Sequence, residues 1–291
     1  MTASTDPART ISFQGAPGAY SDLACREVFP ELQTLACETF EDAIAAVREK
    51  RAVLAMLPIE NSVAGRVADI HHLMPDSGLS IIGEHFQRVQ HHLLALPGAT
   101  LEGLKTVRSH VHALSQCRAL IRRLGLTAHV DADTAGAASE LAARGDKTVA
   151  AIASELAGRI YGLQSLMPNI EDEEHNTTRF LVMAREARPL PADCKRAITT
   201  FVFRVRNVPA ALYKAMGGFA TNGVNMTKLE SYMVGGRFTA TQFYADVDGR
   251  PEDRPLALAF EELRFFSREV KILGTYPAHP FREESSQTDG D

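Results

Sequence analysis

The run Ala52-Val53-Leu54-Ala55-Met56-Leu57-Pro58-Ile59-Glu60-Asn61-Ser62 opens with six consecutive apolar residues and then turns polar. Such a short, unalternating apolar run reads as a strand buried on both faces, as in a parallel sheet covered by helices. Just before it, Thr39 with Asp42 three residues on makes a helix cap, and Phe40, Ala43, Ile44 and Val47 fall on one helical face. Helix and buried strand together set the class as α/β. The polar residues that end the strand stand where α/β sheets open a crevice, at the carboxyl ends of their strands.

Working outward, Thr10 to Gly15 reads as a buried strand ending in a glycine turn, and Ser21 to Phe29 as a helix. Downstream, Thr134 to Ala143 reads as a helix stopped by Gly145, followed by a strand from Thr148 to Ala153 that ends at Ser154 and Glu155. Two units built alike can face each other across a cleft, with the chain crossing between lobes near Phe86 to His91 and Ser165 to Glu174. Periodicity breaks between Arg185 and Arg196 around Pro189 and Pro191, which marks a linker. Beyond it the order is strand Ile198 to Val205, helix Pro209 to Phe219, strand Val224 to Met233, a Gly235-Gly236 turn, strand Arg237 to Val247, helix Arg254 to Ser267 and strand Val270 to Thr275. That is a βαββαβ plan. Its strand from Phe238 to Ala245 is apolar on both faces, so something beyond its own helices should cover one of them; a second subunit is the expected cover. The boundaries expected are residues 10–187 for the two-lobed domain, 188–197 for the linker, 198–280 for the second domain and 281–291 for a frayed polar tail.

A length of 291 residues fits two domains. Apolar residues make up 45% and charged residues 23%, which excludes a mostly disordered or fibrous chain. Lys and Arg total 31 against 36 Asp and Glu, a formal charge of -5 with no basic cluster, so nucleic acid is not an expected partner. Cys25, Cys37, Cys117 and Cys194 form no C-x-x-C pair and read as reduced thiols. Neither a signal-like stretch at Met1 to Thr10 nor a membrane-length apolar run is found, so a cytoplasmic protein without a membrane partner is expected. His71-His72 and His91-His92 lack further ligands at metal spacing, and no metal or cofactor is expected. Glu171 to Glu174 reads as a solvated acidic loop, Ser109 as a helix N-cap and Arg179, taken alone, as a surface ion pair.

The stretch His175-Asn176-Thr177-Thr178-Arg179-Phe180-Leu181-Val182, preceded by Asn169-Ile170-Glu171-Asp172, resembles the signature of prephenate dehydratases. Further segments agree in the family's order: Gly15 to Ser21, Pro58 to Ser62, Ser109-His110 through Gln116-Cys117, and Asp133-Thr134-Ala135. Asn207 to Leu212 and Asn225 to Ser231 resemble the ACT regulatory domain that follows the catalytic part in this family. There the family commonly has Gly in place of Ala210, which is expected to keep φ below zero, and Arg-Pro in place of Tyr232-Met233. The resemblance implies a bilobed α/β catalytic domain, periplasmic-binding-protein type II-like, followed by a ferredoxin-like α+β ACT domain.

It also implies an activity: prephenate loses carbon dioxide and water to give phenylpyruvate, in phenylalanine biosynthesis. Thr178 is implied as hydrogen-bond donor to the leaving hydroxyl, with Glu60 or His110 as a proton relay, and Arg179 as a bidentate clamp on the pyruvyl carboxylate. Asn61 and Ser62, with backbone N–H groups after Gly15 and Gly18, are expected to complete an anion site. Ser21, Ser109, Asn176, Thr177 and Phe180 are further expected substrate-binding residues. Phenylalanine is the implied effector, bound in a homodimer or homotetramer by Asn207, Ala210, Ala211 and Leu212 of one chain and Asn225, Leu229, Glu230 and Ser231 of another. With no room before Ile11 for a chorismate mutase domain, a monofunctional enzyme is expected. Two alternatives stand beside this reading: an arogenate dehydratase, and a non-catalytic amino-acid sensor.

Overall fold

The computed structural model describes residues 6–173, 175–206, 208–233 and 240–283, with the backbone alone for 240 and 241. The chain opens with β1 (Thr10–Gln14), α1 (Tyr20–Val28), β2 (Gln33–Cys37), α2 (Phe40–Arg48), β3 (Leu54–Asn61), β4 (Gly65–Arg66) and α3 (Ala68–Leu73). Strand β1 lies between β2 and β3, parallel to both. As the sequence predicts, Thr39 caps α2 by accepting from the Asp42 N–H, and Ala43, Ile44 and Val47 are buried against the sheet. Strand β3 outlasts its apolar run: Glu60 and Asn61 stay in the strand because β4 folds back onto them, opposing Glu60 with Arg66 and Asn61 with Gly65.

After β5 (Ser80–Arg88) a second sheet forms from β6 (His92–Ala95), β7 (Thr106–His110), α4 (Val111–Ser115), α5 (Arg118–Arg123), β8 (Thr127–Asp131), α6 (Thr134–Arg144), β9 (Val149–Ala153), α7 (Glu155–Tyr161) and β10 (Gln164–Met167). Its order is β10-β6-β9-β7-β8. Asp133 caps α6, Gly145 ends it in the left-handed region, and buried Ala135, Ala137 and Ala138 let the helix lie close on β9. The chain then returns to the first sheet as β11 (Thr177–Ala184), giving the order β2-β1-β3-β11-β5. Two sheets joined by two short crossings make a bilobed α/β arrangement.

The remaining elements are β12 (Ala197–Val205), α8 (Ala211–Thr221), β13 (Met226–Met233), β14 (Ala240–Asp248), α9 (Arg254–Phe266) and β15 (Ser267–Pro277). Their antiparallel order, β13-β14-β12-β15, is the ferredoxin-like solution of a βαββαβ chain. Both helices bury one face of this sheet around Phe201, Phe203, Phe219, Phe243 and Phe260. The Gly235-Gly236 turn lies outside the described residues. No helix among the described residues is long and apolar enough to cross a membrane.

By its contacts the chain divides into two compact units, Met1–Ile70 with His85–Phe180, and His71–Glu84 with Leu181–Asp291. The early segment His71–Glu84 thus belongs with the C-terminal sheet, and this corrects the expectation that a second subunit covers β14. His71 stands edge-on to the fully buried Tyr244 ring, with centroids 4.9 Å apart. The Lys271 ammonium donates to the Pro75 carbonyl, and a Cβ on Gly274 would run into the Ile81 carbonyl. Tyr232 is buried against His72 with ring centroids 5.2 Å apart; its hydroxyl accepts from Gln242 Nε2 at 2.6 Å.

Two further expectations change. Within the stretch expected to fray, Arg282 is held: it forks onto buried Glu84 at 2.6 and 2.8 Å and approaches buried Asp246 at 3.5 Å. Ala210 sits at φ 60°, in the left-handed region, because the backbone turns sharply there into α8. Of the expected effector-binding residues, Asn207 lies outside the described residues. Asn225 donates to Asp248 at 2.8 Å, Ala211 is buried, and Leu212 packs on the core. Glu230 pairs with Lys228 at 3.3 Å, while Leu229 and Ser231 are exposed on β13, an edge strand.

Arg282→Ala removes one partner of a buried ion pair, a change that typically costs about 3–5 kcal/mol. Thermal unfolding of the full chain should show a clearly lowered midpoint, only partly recovered in Arg282→Lys because an ammonium cannot reproduce the two-pronged contact. Ala210→Gly should act the other way, raising the midpoint by relieving about 1 kcal/mol of left-handed strain.

Candidate active site

A cavity of about 560 Å³ opens within the first unit, between its two sheets. Such a volume suits a small metabolite. Thr178 and Phe180 of β11 reach its wall, as do Asn61 of β3, Ser21 of α1, and His110 and Gln116 from the second sheet's side. Arg179 does not. Side chains alternate along a strand, so with Thr178 and Phe180 facing the cavity Arg179 points the other way. It is 3% exposed, and its guanidinium pairs with Glu60 at 2.9 Å. Glu60 and Arg179, expected as relay and clamp, therefore bind each other, and neither lines the cavity.

The anion site expected after the first strand is also revised. Of the N–H groups after the two glycines, that of Ala19 donates to the Ala16 carbonyl at 3.0 Å and Pro17 has none, while the N–H groups of Gly15 and Gly18 themselves donate to the Cys37 carbonyl at 2.9 Å and to Asp22 at 2.8 Å. Gly18 serves a close approach instead: its φ is 89°, and a Cβ there would stand 2.7 Å from Cα of Ala157. Ser62 joins the two segments of the signature, donating to the His175 carbonyl and accepting from the Thr177 N–H, each at 2.9 Å. Ser109 is fully buried and donates to the Ile152 carbonyl at 2.6 Å, while His110 takes the N-cap position of α4.

Thr178 is held by Asn61. The Asn61 Nδ2 donates to Thr178 Oγ1 at 2.9 Å and to Asn176 Oδ1 at 2.8 Å. Asn176, 1% exposed, donates in turn to Gln116 Oε1 at 2.8 Å, which also stands 2.9 Å from Nε2 of His91. His91 meets the Tyr20 hydroxyl at 2.8 Å through Nδ1. Burial, above all, pushes the His91 pKa down and the Tyr20 pKa up, so both are neutral near pH 7. The His110 pKa is likewise lowered, first by burial and then by neighbouring His112. Because its Nδ1 accepts from the His112 N–H, the neutral His110 ring carries its hydrogen on Nε2.

Gln116, His91, Tyr20 and Arg66 were not assigned roles by the sequence. Arg66 brings a guanidinium to the cavity wall from β4, a two-residue strand with no periodic signal. Gln116 and Tyr20 fall inside matching segments but are ordinary by residue type. The acidic loop is not simply solvated: Glu171 accepts from the His91 N–H at 2.8 Å, and Asp172 accepts from the Arg118 and Ala119 N–H groups at the start of α5. Among the described residues no group of three or more His, Cys, Asp or Glu side chains is placed to hold a metal ion.

The prephenate dehydratase family model matches residues 11–188. Over 276 residues the chain is 55% identical to the bifunctional N-acyl-homoserine lactone acylase/prephenate dehydratase of Komagataeibacter europaeus, covering 95% of this chain and 98% of that one. It is 36% identical to arogenate dehydratase/prephenate dehydratase 2, chloroplastic, of Arabidopsis thaliana, covering 92% and 72%. Among solved structures, GqqA, a novel type of quorum quenching acylase, superposes with a TM-score of 0.88 at 55% identity, covering 94% and 100%. The prephenate dehydratase from Arthrobacter aurescens in complex with L-Phe superposes at 0.84 with 29% identity, covering 96% and 98%. With the family's signature segments gathered at one cavity and its model matching more than half of the sequence, this chain belongs to the prephenate dehydratase family, enzymes of the hydro-lyase class.

Proposed function

We propose that this chain converts prephenate to phenylpyruvate in the cytoplasm, and that its C-terminal unit is an ACT domain through which phenylalanine lowers the activity. The observation that carries the first part is the Thr178 hydroxyl at the cavity wall. It accepts from Asn61, which leaves its own hydrogen for a group in the cleft. In the reaction the bond to the ring carboxylate breaks and its electron pair enters the ring. The bond to the ring hydroxyl breaks in turn, and the departing oxygen takes up a proton, so carbon dioxide and water leave an aromatic product. Aromatisation drives the step; the protein has to orient a dianion and stabilise the departing oxygen. Thr178 donates to that oxygen, and His110, which also reaches the cavity wall, is a titrating candidate that supplies the proton from its imidazolium form. Arg66 replaces Arg179 as the cation for a carboxylate, while the Arg179–Glu60 pair ties β11 to β3.

The similarity to arogenate dehydratases supports arogenate as the alternative substrate, with an ammonium on the side chain. The acylase named for the Komagataeibacter protein is a second reading, favoured by 55% identity across 95% of this chain. Release of homoserine lactone from an N-acyl-homoserine lactone tests it beside the dehydratase assay. The βαββαβ unit and the L-Phe bound to the Arthrobacter neighbour support the regulatory part. Phenylalanine inhibits only by binding a less active state better, in a homodimer or homotetramer whose shared boundary would include the edge strand β13.

Phenylpyruvate formation, followed by its ultraviolet absorbance with prephenate and with arogenate, checks the reaction and ranks the substrates; absence of turnover on both would leave the amino-acid sensor. Thr178→Ala should lower kcat on the order of 10²-fold with little change in KM, the usual effect of removing one directed donor. Arg66→Ala should chiefly raise KM. Calorimetry should show phenylalanine binding to the full chain, light scattering a dimer or tetramer, and steady-state kinetics inhibition that weakens in Ser231→Trp at the effector boundary.

A further inference from the structure

The hydrogen bonds around Thr178 have a direction, and the backbone sets it. The N–H groups of Val63 and Ala64 both donate to Asn61 Oδ1, at 3.0 and 2.8 Å. That oxygen cannot trade places with the nitrogen, since an amide NH2 has nothing to accept with. Asn61 Nδ2 must therefore face Asn176 and Thr178, so the oxygens of both residues accept. With Oδ1 so used, Asn176 turns its Nδ2 to Gln116, whose oxygen must also accept. The same Gln116 oxygen faces His91 Nε2, so that nitrogen carries the ring hydrogen, and Nδ1 is left to accept from the Tyr20 hydroxyl, in competition with the Gln90 carbonyl 2.8 Å from the same oxygen.

We propose that His91 and Tyr20 are positioning residues that end this one-way chain and hold the amide nitrogen of Gln116 toward the cleft, where it can donate to an anionic substrate. His91 is 2% exposed and sits at the first crossing between the sheets; its ring packs edge-on against Tyr20 of the first sheet's helix. Gln116 and Asn176 carry the contact to the second sheet's side and to the return crossing. Two donors on one oxygen leave the Gln116 carboxamide no reason to flip.

The chain also has one coherent reversed state. If the atom at Asn61 Nδ2 became an acceptor, Thr178 would turn its hydrogen inward, and Asn176 and Gln116 would flip. His91 would then accept at Nε2 and donate from Nδ1 to Tyr20, whose single hydrogen would pass from His91 Nδ1 to the Gln90 carbonyl, 2.8 Å away. Asn61→Asp makes that replacement with almost no change in shape.

The inference rests on the dehydratase reading for its kinetic part and stands apart from it for its spectroscopic part. In the full-length protein labelled with 15N-histidine, with the His91 signals identified by their loss in His91→Gln, the wild-type ring should be in the Nε2–H form. In Asn61→Asp it should switch to Nδ1–H. A wild-type Nδ1–H ring, or an Nε2–H ring that survives in Asn61→Asp, overturns the direction of the chain. In kinetics on prephenate, His91→Leu should raise KM about tenfold, the worth of one net hydrogen bond, with a smaller change in kcat. His91→Gln, which can place a donor where Nε2 was, should restore KM, and Tyr20→Phe should fall between the two. A purely structural role predicts lowered stability in all three variants with KM unchanged, and that result would overturn the proposal. If wild-type protein makes no phenylpyruvate, the functional reading fails, while the two tautomer measurements still decide the chain.

Discussion

The last strand of the first unit is inserted into the middle of the first sheet. Strand β11 lies between β3 and β5, more than a hundred residues after β3 has formed its edge, and the second sheet is built entirely in the interval. This constraint fixes the rest. It forces two crossings, one leaving through His91 and one returning through Asn176, and it lays the signature around Thr178 beside Glu60, Asn61 and Ser62. The bonds that hold the junction are specific: Ser62 exchanges bonds with the 175–177 backbone, and the Val89 N–H donates to the Asn176 carbonyl at 2.8 Å. Contacts of such sequence separation form late and at an entropic cost, which is why polar side chains as well as the ladder secure the insertion.

Much of this was legible because it depends on local rules. The cap at Thr39, the terminator at Gly145 and the buried apolar runs of β3 and β9 follow from residue type and spacing alone. The βαββαβ order followed in the same way. Residue roles were less legible, because side-chain direction depends on which face of a strand meets the cavity. Thr178 and Arg179 are adjacent in the motif and point to opposite sides, so a signature that contains both cannot say which one meets substrate. The N–H groups after Gly15 and Gly18 were likewise expected at an anion site, and only the structure shows that of Ala19 already used by the Ala16 carbonyl.

The segment His71–Glu84 escaped sequence reading for a different reason. It precedes the second sheet of the first unit, yet its side chains complete the core of the C-terminal unit through Tyr244, Lys271 and Arg282. An apolar strand face announces that it is covered without saying by what. Both a partner subunit and a distant stretch of the same chain satisfy the pattern, and here the chain itself supplies the cover. Among the described residues the edge of this sheet that stays open lies on β13, the neighbour of β14.

Burying Asn176, Gln116 and His91 beside the half-buried Asn61 would be unfavourable if any one of them lacked a partner, since an unpaired buried polar group costs about 1–3 kcal/mol. Each finds one only because all are oriented the same way, and the orientation is dictated by two backbone N–H groups, of Val63 and Ala64, that belong to a turn. A turn costs little to hold and cannot titrate. It therefore transmits to Thr178 a direction that does not depend on pH near neutrality, because burial keeps His91 uncharged. An ionic anchor in the same place would compete with a dianionic substrate for every donor in the cleft. A neutral, directed network leaves those donors to the substrate, and this accounts for a site whose best-held residues are carboxamides while its ion pair, Arg179 with Glu60, lies outside the cavity wall.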